Sequence, residues 1–172
     1  VEPGARDLRL PRGDDLAHKL IHRLEIPPLI AALTQSPHRL EEYAGHDAHS
    51  RFVAVELPEQ LQHSFPLHAS PAARGLMGAS FGAVASLHAA WRHPGRFGRL
   101  VLQSGSFAFS DIGHHRRTPT FDPVARFVNE FRRRPGQPAE RIYLSCGIYE
   151  SLIYENRSLV PLLRHHGIEV RY

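Results

Sequence analysis

The residues best suited to chemistry lie in the run Gly78-Ala79-Ser80-Phe81-Gly82, a G-x-S-x-G pattern. Residues 75–77 before it are typical of a short buried strand, and residues 83–91 after it predict a helix. A serine on a tight strand-to-helix turn is held in strained backbone geometry with its hydroxyl exposed. We expect a side chain at Gly78 or Gly82 to collide with the neighbouring strand and helix. The pattern predicts Ser80 as a nucleophile.

The start of the following helix would support the same chemistry. A helix that begins at Phe81 directs its free N–H groups and positive dipole end at the serine, so Phe81 N–H can bind an oxyanion. The alternative is a glycine-rich turn in some other βα unit. The next apolar run, residues 100–102, and a second turn at Ser104-Gly105-Ser106 favour the nucleophile.

Apolar runs and helical stripes alternate along most of the chain, which predicts an α/β protein. The expected fold is a mostly parallel sheet with helices on both faces, in a single domain over residues 1–172. Right-handed crossovers would place Ser80 at the carboxyl edge of that sheet. The predicted strands are residues 29–33, 75–77, 100–102, 141–146 and 168–172. The first predicted helix begins at residue 14. The other predicted helices cover residues 48–61 (with a kink at Pro58), 83–91, 121–133 and 152–165.

Three motifs between residues 77 and 107 carry a family resemblance. They are the G-x-S-x-G run, His93-Pro94-Gly95-Arg96-Phe97, and Ser104-Gly105-Ser106. In this order they resemble the enterochelin-esterase-like branch of the putative esterases, the esterase D group of the α/β-hydrolase fold. Weaker similarity extends over about residues 26–172. The resemblance implies a serine carboxylic-ester hydrolase that forms an acyl-enzyme, and it implies that the fold is shortened here at both ends.

The resemblance also implies an acid for the catalytic triad. Its [CA]-G-x-x-E segment stands here as Cys146-Gly147-Ile148-Tyr149-Glu150, followed by the E-N-R-like residues 155–157. Glu150 is therefore the expected triad acid. The alternative is an acidic residue at a helix N-terminus, favoured by the dipole. Asp111 is the second candidate for the acid.

Two further parts of the family pattern are carried over. Its R-x-x-E-Y segment matches Arg39, Glu42 and Tyr43, which implies an Arg–Glu pair that supports the pocket wall; a simple surface ion pair is the alternative. Its D-G turn, which supplies a second oxyanion donor, has only a vague counterpart at Gly13 and the following Asp14.

The catalytic histidine has no direct counterpart. The resemblance places it in a G-H motif after the last strand, and Tyr172 lies inside that strand, so we expect the histidine beyond the C-terminus. His114 and His115 lie in a loop at the expected edge of the sheet and are candidate replacement bases, although the Ser–acid–His chain order does not hold for them. We interpret His165 and His166 as cations at a helix end. His88 and His93 are interpreted as structural.

Composition narrows the class of protein. Apolar residues are 42% and charged residues 22% of the chain, as in ordinary globular domains. The net charge of +4 comes from scattered basic residues, and the cluster at residues 132–134 is read as a solvated helix end, not a nucleic-acid site. Cys146 is the single cysteine, and His18 and His22 lack a third metal ligand nearby, so we expect no disulfide and no metal or other cofactor.

The expected location is the cytoplasm, since no signal-peptide pattern and no apolar run of about 20 residues occurs. The sequence starts without methionine, which indicates a processed, excised or fragmentary chain. The expected partner is a small-molecule ester, with no nucleic acid and no membrane. The alternatives are an acyltransferase, or a catalytically inactive interaction protein that dimerises through an open sheet edge.

Overall fold

The structure, a computed structural model, describes residues 16–110 and 117–172. The chain divides into two compact units, residues 1–37 and residues 38–172. In the first unit, helix α1 covers Leu16–His22, as its leucine stripe predicts.

The predicted buried strand at residues 29–33 is wrong. These residues have no regular structure, and the side chains of Leu29, Ile30 and Leu33 are 52%, 40% and 68% exposed. The preceding prolines at 27 and 28 lack backbone N–H donors, and an apolar run becomes a strand only where a neighbouring strand pairs with it.

The second unit contains a four-stranded parallel sheet in the order β1-β2-β3-β4. The strands are β1 (Gly75–Ala79), β2 (Arg99–Gln103), β3 (Arg141–Ser145) and β4 (Glu169–Arg171). Its helices are α2 (Arg39–Glu42), α3 (Asp47–Arg51), α4 (Leu57–Ser64), α5 (Phe81–Arg92), α6 (Asp122–Arg133) and α7 (Ile153–His165). Since the strands are parallel and in sequence order, their carboxyl ends share one edge.

Alternation along the strands separates a buried face of the sheet from an exposed one. Leu100, Ile142 and Val170 are paired across β2, β3 and β4 and belong to one core cluster with side chains of α5, α6 and α7. On the opposite face, Met77 is 73% and Tyr143 is 45% exposed. The mostly parallel sheet with helices is confirmed; within the described part of this unit, α5, α6 and α7 lie against one face.

The helix predicted at residues 48–61 forms with an irregular centre. α3 continues through a π-helical turn, Phe52–Glu56, directly into α4. Pro58 lies at the junction of the π-helical turn and α4, and its missing N–H leaves the Ala54 carbonyl, four residues earlier, to accept from Arg96 Nε at 2.9 Å.

Candidate functional site

Ser80 occupies the turn between β1 and α5 with an uncommon backbone conformation. Its φ is +55° and its ψ is −120°, a region that residues with a β-carbon rarely adopt. The Ser80 N–H donates to Gln103 O at 3.0 Å, and Ser80 O accepts from Ala83 N at 3.1 Å. The turn is thus fixed between β2 and the first turn of α5, and the predicted strained geometry of the serine is present.

The two glycines beside Ser80 differ from each other. A β-carbon at Gly78 would lie 2.2 Å from the backbone oxygen of Gly82, so only glycine fits there. A β-carbon at Gly82 would meet no atom within 4 Å beyond the adjoining backbone of its own helix. The expected collision is therefore confirmed for Gly78 and wrong for Gly82, which faces open space at the start of α5.

The turn after β2 contacts both predicted catalytic side chains. Ser106 Oγ lies 3.0 Å from Ser80 Oγ, and Ser106 N donates to Ser80 O at 3.3 Å. At the other end of the same turn, Ser104 Oγ donates to Glu150 Oε1 at 2.8 Å. The three residues 104–106 thus form a hydrogen-bonded bridge between Ser80 and Glu150.

Glu150 is exposed in the loop after β3, at the same edge of the sheet as Ser80. Hydrogen bonds from Gly147 N–H, at 2.8 Å, and from Ser104 Oγ hold the pKa of the Glu150 carboxyl below its usual value. Burial, followed by the negative charge of Glu150, raises the pKa of the Cys146 thiol. At neutral pH this loop therefore presents a carboxylate beside a protonated thiol.

A buried amide holds the centre of the bridging turn. Asn156 on α7 is 0% exposed; its Oδ1 accepts from Gly105 N at 3.1 Å, and its Nδ2 donates to Gly105 O at 2.8 Å. A β-carbon at Gly105 would lie 2.0 Å from the Phe107 ring. The sequence shows the Ser-Gly-Ser turn but gives no sign of this contact, because its two partners are 51 residues apart.

The residue after Ser80 is fixed by packing. The Phe81 ring is buried and lies edge-on to the Phe121 ring at 5.2 Å, and the Arg117 guanidinium stacks over Phe121 while pairing with Glu155. The backbone N–H of Phe81 has no hydrogen-bond acceptor among the residues that the structure describes. It can therefore donate to an oxygen bound at the turn.

The position of a catalytic base is not given by the described residues. His114, His115, Asp111 and Gly13 lie outside residues 16–110 and 117–172. Within these ranges, the Ser80 hydroxyl hydrogen-bonds Ser106 and no imidazole.

His88, interpreted as structural, and His166, interpreted as a cation at a helix end, both contact groups of the helices. His88 is buried in α5 against Phe127, with its Nε2 3.6 Å from Asp47 Oδ1, and burial lowers its pKa to about 4. His166 follows α7, and its Nδ1 lies 2.9 Å from Leu162 O. These contacts stabilise helices and involve no atom of Ser80.

The predicted Arg39–Glu42 ion pair does not form in the described part of the chain. Glu42 Oε2 lies instead 3.5 Å from Nδ1 of the buried His49, whose ring is 4.8 Å from that of Tyr43. A four-residue helix such as α2 leaves an exposed Arg39 free to extend into solvent, whereas the buried His49 has a fixed position. Support of a pocket wall by these residues stays a prediction.

The arginine cluster at the end of α6 is less solvated than predicted. The Arg132 guanidinium carbon lies 4.0 Å from the centre of the Phe109 ring, and its NH1 donates to Ser158 Oγ at 3.1 Å. Arg133 and Arg134 are exposed, as expected for a helix end.

Two general features of the described residues bear on binding. Residues 16–110 and 117–172 contain no cluster of three His, Cys, Asp or Glu side chains placed to hold a metal ion. None of the helices in these ranges has the length and apolar character needed to cross a bilayer.

A parallel sheet with a strained serine on the turn into the following helix is the arrangement found in the α/β-hydrolase class. A sequence model of the family described as "Putative esterase" matches residues 20–162, most of the chain, and the protein belongs to that family. The predicted family is thereby confirmed. Comparison with curated protein sequences finds no significant match.

Solved esterases share the fold. Enterochelin esterase from Shigella flexneri has a TM-score of 0.72 and 23% identity over 90% of this chain and 40% of its own. The Shigella flexneri enterobactin esterase solved in the presence of enterobactin has a TM-score of 0.72 and 24% identity, over 91% of this chain and 40% of its own. Ferric enterobactin esterase from Salmonella typhimurium has a TM-score of 0.68 and 22% identity, over 90% of this chain and 39% of its own. The chain thus spans about two-fifths of the length of these proteins, and at such identities the likeness establishes the fold.

Proposed function

We propose that this chain carries the nucleophile of a serine carboxylic-ester hydrolase, with Ser80 forming the acyl-enzyme. One observation carries the proposal: Ser80 has a φ of +55° on the strand-to-helix turn of an esterase-family sheet. Natural proteins retain such strain mainly where function requires the conformation. The proposed substrate is a small-molecule carboxylic ester.

In the proposed reaction, Ser80 Oγ attacks the ester carbonyl carbon while its proton passes to an imidazole base. The carbonyl oxygen becomes an oxyanion and accepts the Phe81 N–H, which is free among the described residues and lies at the positive end of α5. Collapse of this intermediate breaks the ester C–O bond and transfers the proton to the departing alcohol. Water then releases the acid by the same steps in reverse.

Glu150 is proposed to orient the base. It lies on the loop after a neighbouring parallel strand, and two hydrogen bonds keep its carboxyl ionised at neutral pH. An ionised carboxylate both fixes the tautomer of an imidazole and stabilises the imidazolium that forms during attack. Ser104 would hold the carboxylate in place through its 2.8 Å hydrogen bond.

The base is proposed to be an imidazole outside the described residues, with His114 and His115 as the candidates within this sequence. Gly13 likewise stays a prediction for the second oxyanion donor. If His114 or His115 is the base, ester hydrolysis should fall as the pH drops through about 6.5, because imidazole protonates there. Replacing that histidine by Ala should then cost as much activity as replacing Ser80.

The decisive experiment compares Ser80→Ala with Ser86→Ala in hydrolysis of a short p-nitrophenyl ester. Both serines belong to the same turn and helix, but the Ser86 hydroxyl donates to Gly82 O in its own helix. We expect Ser80→Ala to fold normally and to lose nearly all of its hydrolysis. The rate that remains should be at most about 10³–10⁴-fold above the rate in water, which substrate binding and the oxyanion donors can still provide. Equal turnover in the two variants would remove Ser80 from the mechanism.

A non-catalytic interaction protein is the second candidate, since no imidazole in the described ranges hydrogen-bonds Ser80. A fluorophosphonate distinguishes the two, because it labels a serine whose hydroxyl is activated by a base. Labelling of Ser80, located by peptide mass spectrometry, supports the enzyme; its absence supports the interaction protein. Products formed with an added alcohol would identify acyl transfer, and enterobactin is a further ester to test.

A further inference from the structure

We propose that Asn156 is a positioning residue that holds Ser80 and Glu150 in one frame by clamping the turn between them. The inference rests on the proposed function and adds to it a residue that hydrogen-bonds neither of the two side chains. It follows from the two hydrogen bonds by which the Asn156 amide binds both the backbone N–H and the backbone oxygen of a single residue, Gly105.

The clamp is complete at the level of hydrogen bonds. Asn156 Oδ1 accepts the Gly105 N–H and Nδ2 donates to Gly105 O, while the second Nδ2 hydrogen is donated to Leu152 O at 2.8 Å. Asn156 is 0% exposed and Gly105 is buried, so the two hydrogen bonds between them are shielded from water. Neither polar atom of the Gly105 backbone can therefore exchange its partner for solvent without moving α7.

The geometry of the turn passes this constraint to both ends. On one side of Gly105, Ser104 has a φ of +45°, its N–H donates to Ser145 O at 2.7 Å, and its Oγ donates to Glu150. On the other side, Ser106 contacts Ser80 through both its hydroxyl and its N–H. Rotation of the peptides at Gly105 would move both serine side chains, so one amide fixes two sets of contacts.

The test uses the full chain and the labelling rate of Ser80 by a fluorophosphonate. Asn156→Leu keeps the branched, four-atom shape of the side chain and removes all three amide hydrogen bonds. Leu163→Ala is the matched control, since Leu163 is a fully buried residue of the same helix with no atom in the turn, and its truncation also destabilises the core. We expect Asn156→Leu to slow labelling at least tenfold relative to Leu163→Ala, and rates within twofold of each other would overturn the proposal.

Asn156→Asp gives a second readout that loss of packing does not produce. A protonated aspartate can accept from Gly105 N–H and donate to Gly105 O, as the amide does, whereas the ionised form has no donor. Burial raises the pKa of such a carboxyl. The ratio of the Asn156→Asp labelling rate to the wild-type labelling rate should therefore rise as the pH falls. A ratio that does not change with pH would contradict the clamp.

Amide hydrogen exchange separates failure of the clamp from failure of the proposed function. If wild-type Ser80 is not labelled at all, the nucleophile assignment fails. The exchange rates of the Ser104, Gly105 and Ser106 amides then still test the clamp, because they do not depend on labelling. The clamp requires all three to exchange faster in Asn156→Leu than in Leu163→Ala. Unchanged protection of Ser104 and Ser106 would overturn it.

Discussion

At the scale of single residues, the two glycines around Ser80 have different reasons to lack a side chain. Gly78 lies where β1 passes close to the first turn of α5, and the backbone oxygen of Gly82 occupies the space of its missing β-carbon. Gly82 lies in α5 itself, with open space beside it. The G-x-S-x-G pattern therefore contains one glycine required by packing and one that this chain does not require for that reason.

Gly78→Ala should destabilise the protein by about 3 kcal/mol or more, since the clash is with backbone that cannot rotate away. Gly82→Ala should stabilise it by up to about 1 kcal/mol, because alanine loses less conformational entropy in a helix. Denaturant unfolding of the two variants beside wild type measures both values. A Gly78→Ala protein as stable as Gly82→Ala would show that the turn is not packed as described.

At the scale of elements, α5 combines a polar end at Ser80 with a buried ionisable group, His88. Removal from water lowers the pKa of His88 to about 4; the negative charge of Asp47 opposes this shift, and the positive groups of Arg92, His93 and His46 add to it. The unfolded chain, with a histidine pKa near 6.5, therefore binds a proton that the folded chain excludes. Titration of His88 therefore leaves the stability of the protein unchanged above about pH 6.5 and lowers it as the pH decreases towards 4.

His88 should account for a loss of up to about 3 kcal/mol in the free energy of unfolding between pH 7 and pH 4. In His88→Gln, which cannot titrate, the loss over this range should be smaller by about that amount. His63→Gln is the control, since His63 is an exposed histidine of α4 that contacts only its own helix. Equal pH dependence in wild type and His88→Gln would mean that His88 takes up a proton in the folded state.

At the scale of the whole molecule, the unit at residues 38–172 contains a core of its own. Buried apolar side chains of its sheet and of α5, α6 and α7 form one cluster, whereas in the described part of residues 1–37 the buried residue is Ser36. The sheet of this unit has β1 and β4 at its edges. Dimerisation through such an edge stays a prediction.

A chain that starts at His38 should therefore fold without residues 1–37. We expect one cooperative unfolding transition, with a denaturant midpoint close to that of the 172-residue chain, because a continuous core makes a domain unfold as a unit. Far-ultraviolet circular dichroism during urea titration measures both. Loss of the transition in the shortened chain would show that residues 1–37 are part of the folding unit.

The sequence by itself determined the local structure around the site. The strand, serine turn and helix at residues 75–92, the strands at β2, β3 and β4, and the helices α6 and α7 all follow from periodicity and turn residues that act over a few positions. Their parallel arrangement also places Ser80 and Glu150 at one edge of the sheet, because parallel strands have their carboxyl ends on the same side.

Only the tertiary structure decided the contacts between distant parts of the chain. Residues 29–33 have the pattern of a strand but pair with no strand in the described part of the chain, and Glu42 has a local arginine but pairs with His49. Asn156 belongs to the E-N-R-like residues 155–157, but its contact with Gly105 arises only when α7 packs against the turn after β2. Each outcome depends on which groups the packed chain buries together, and the free energy of a buried polar group is set by the partner that it meets there.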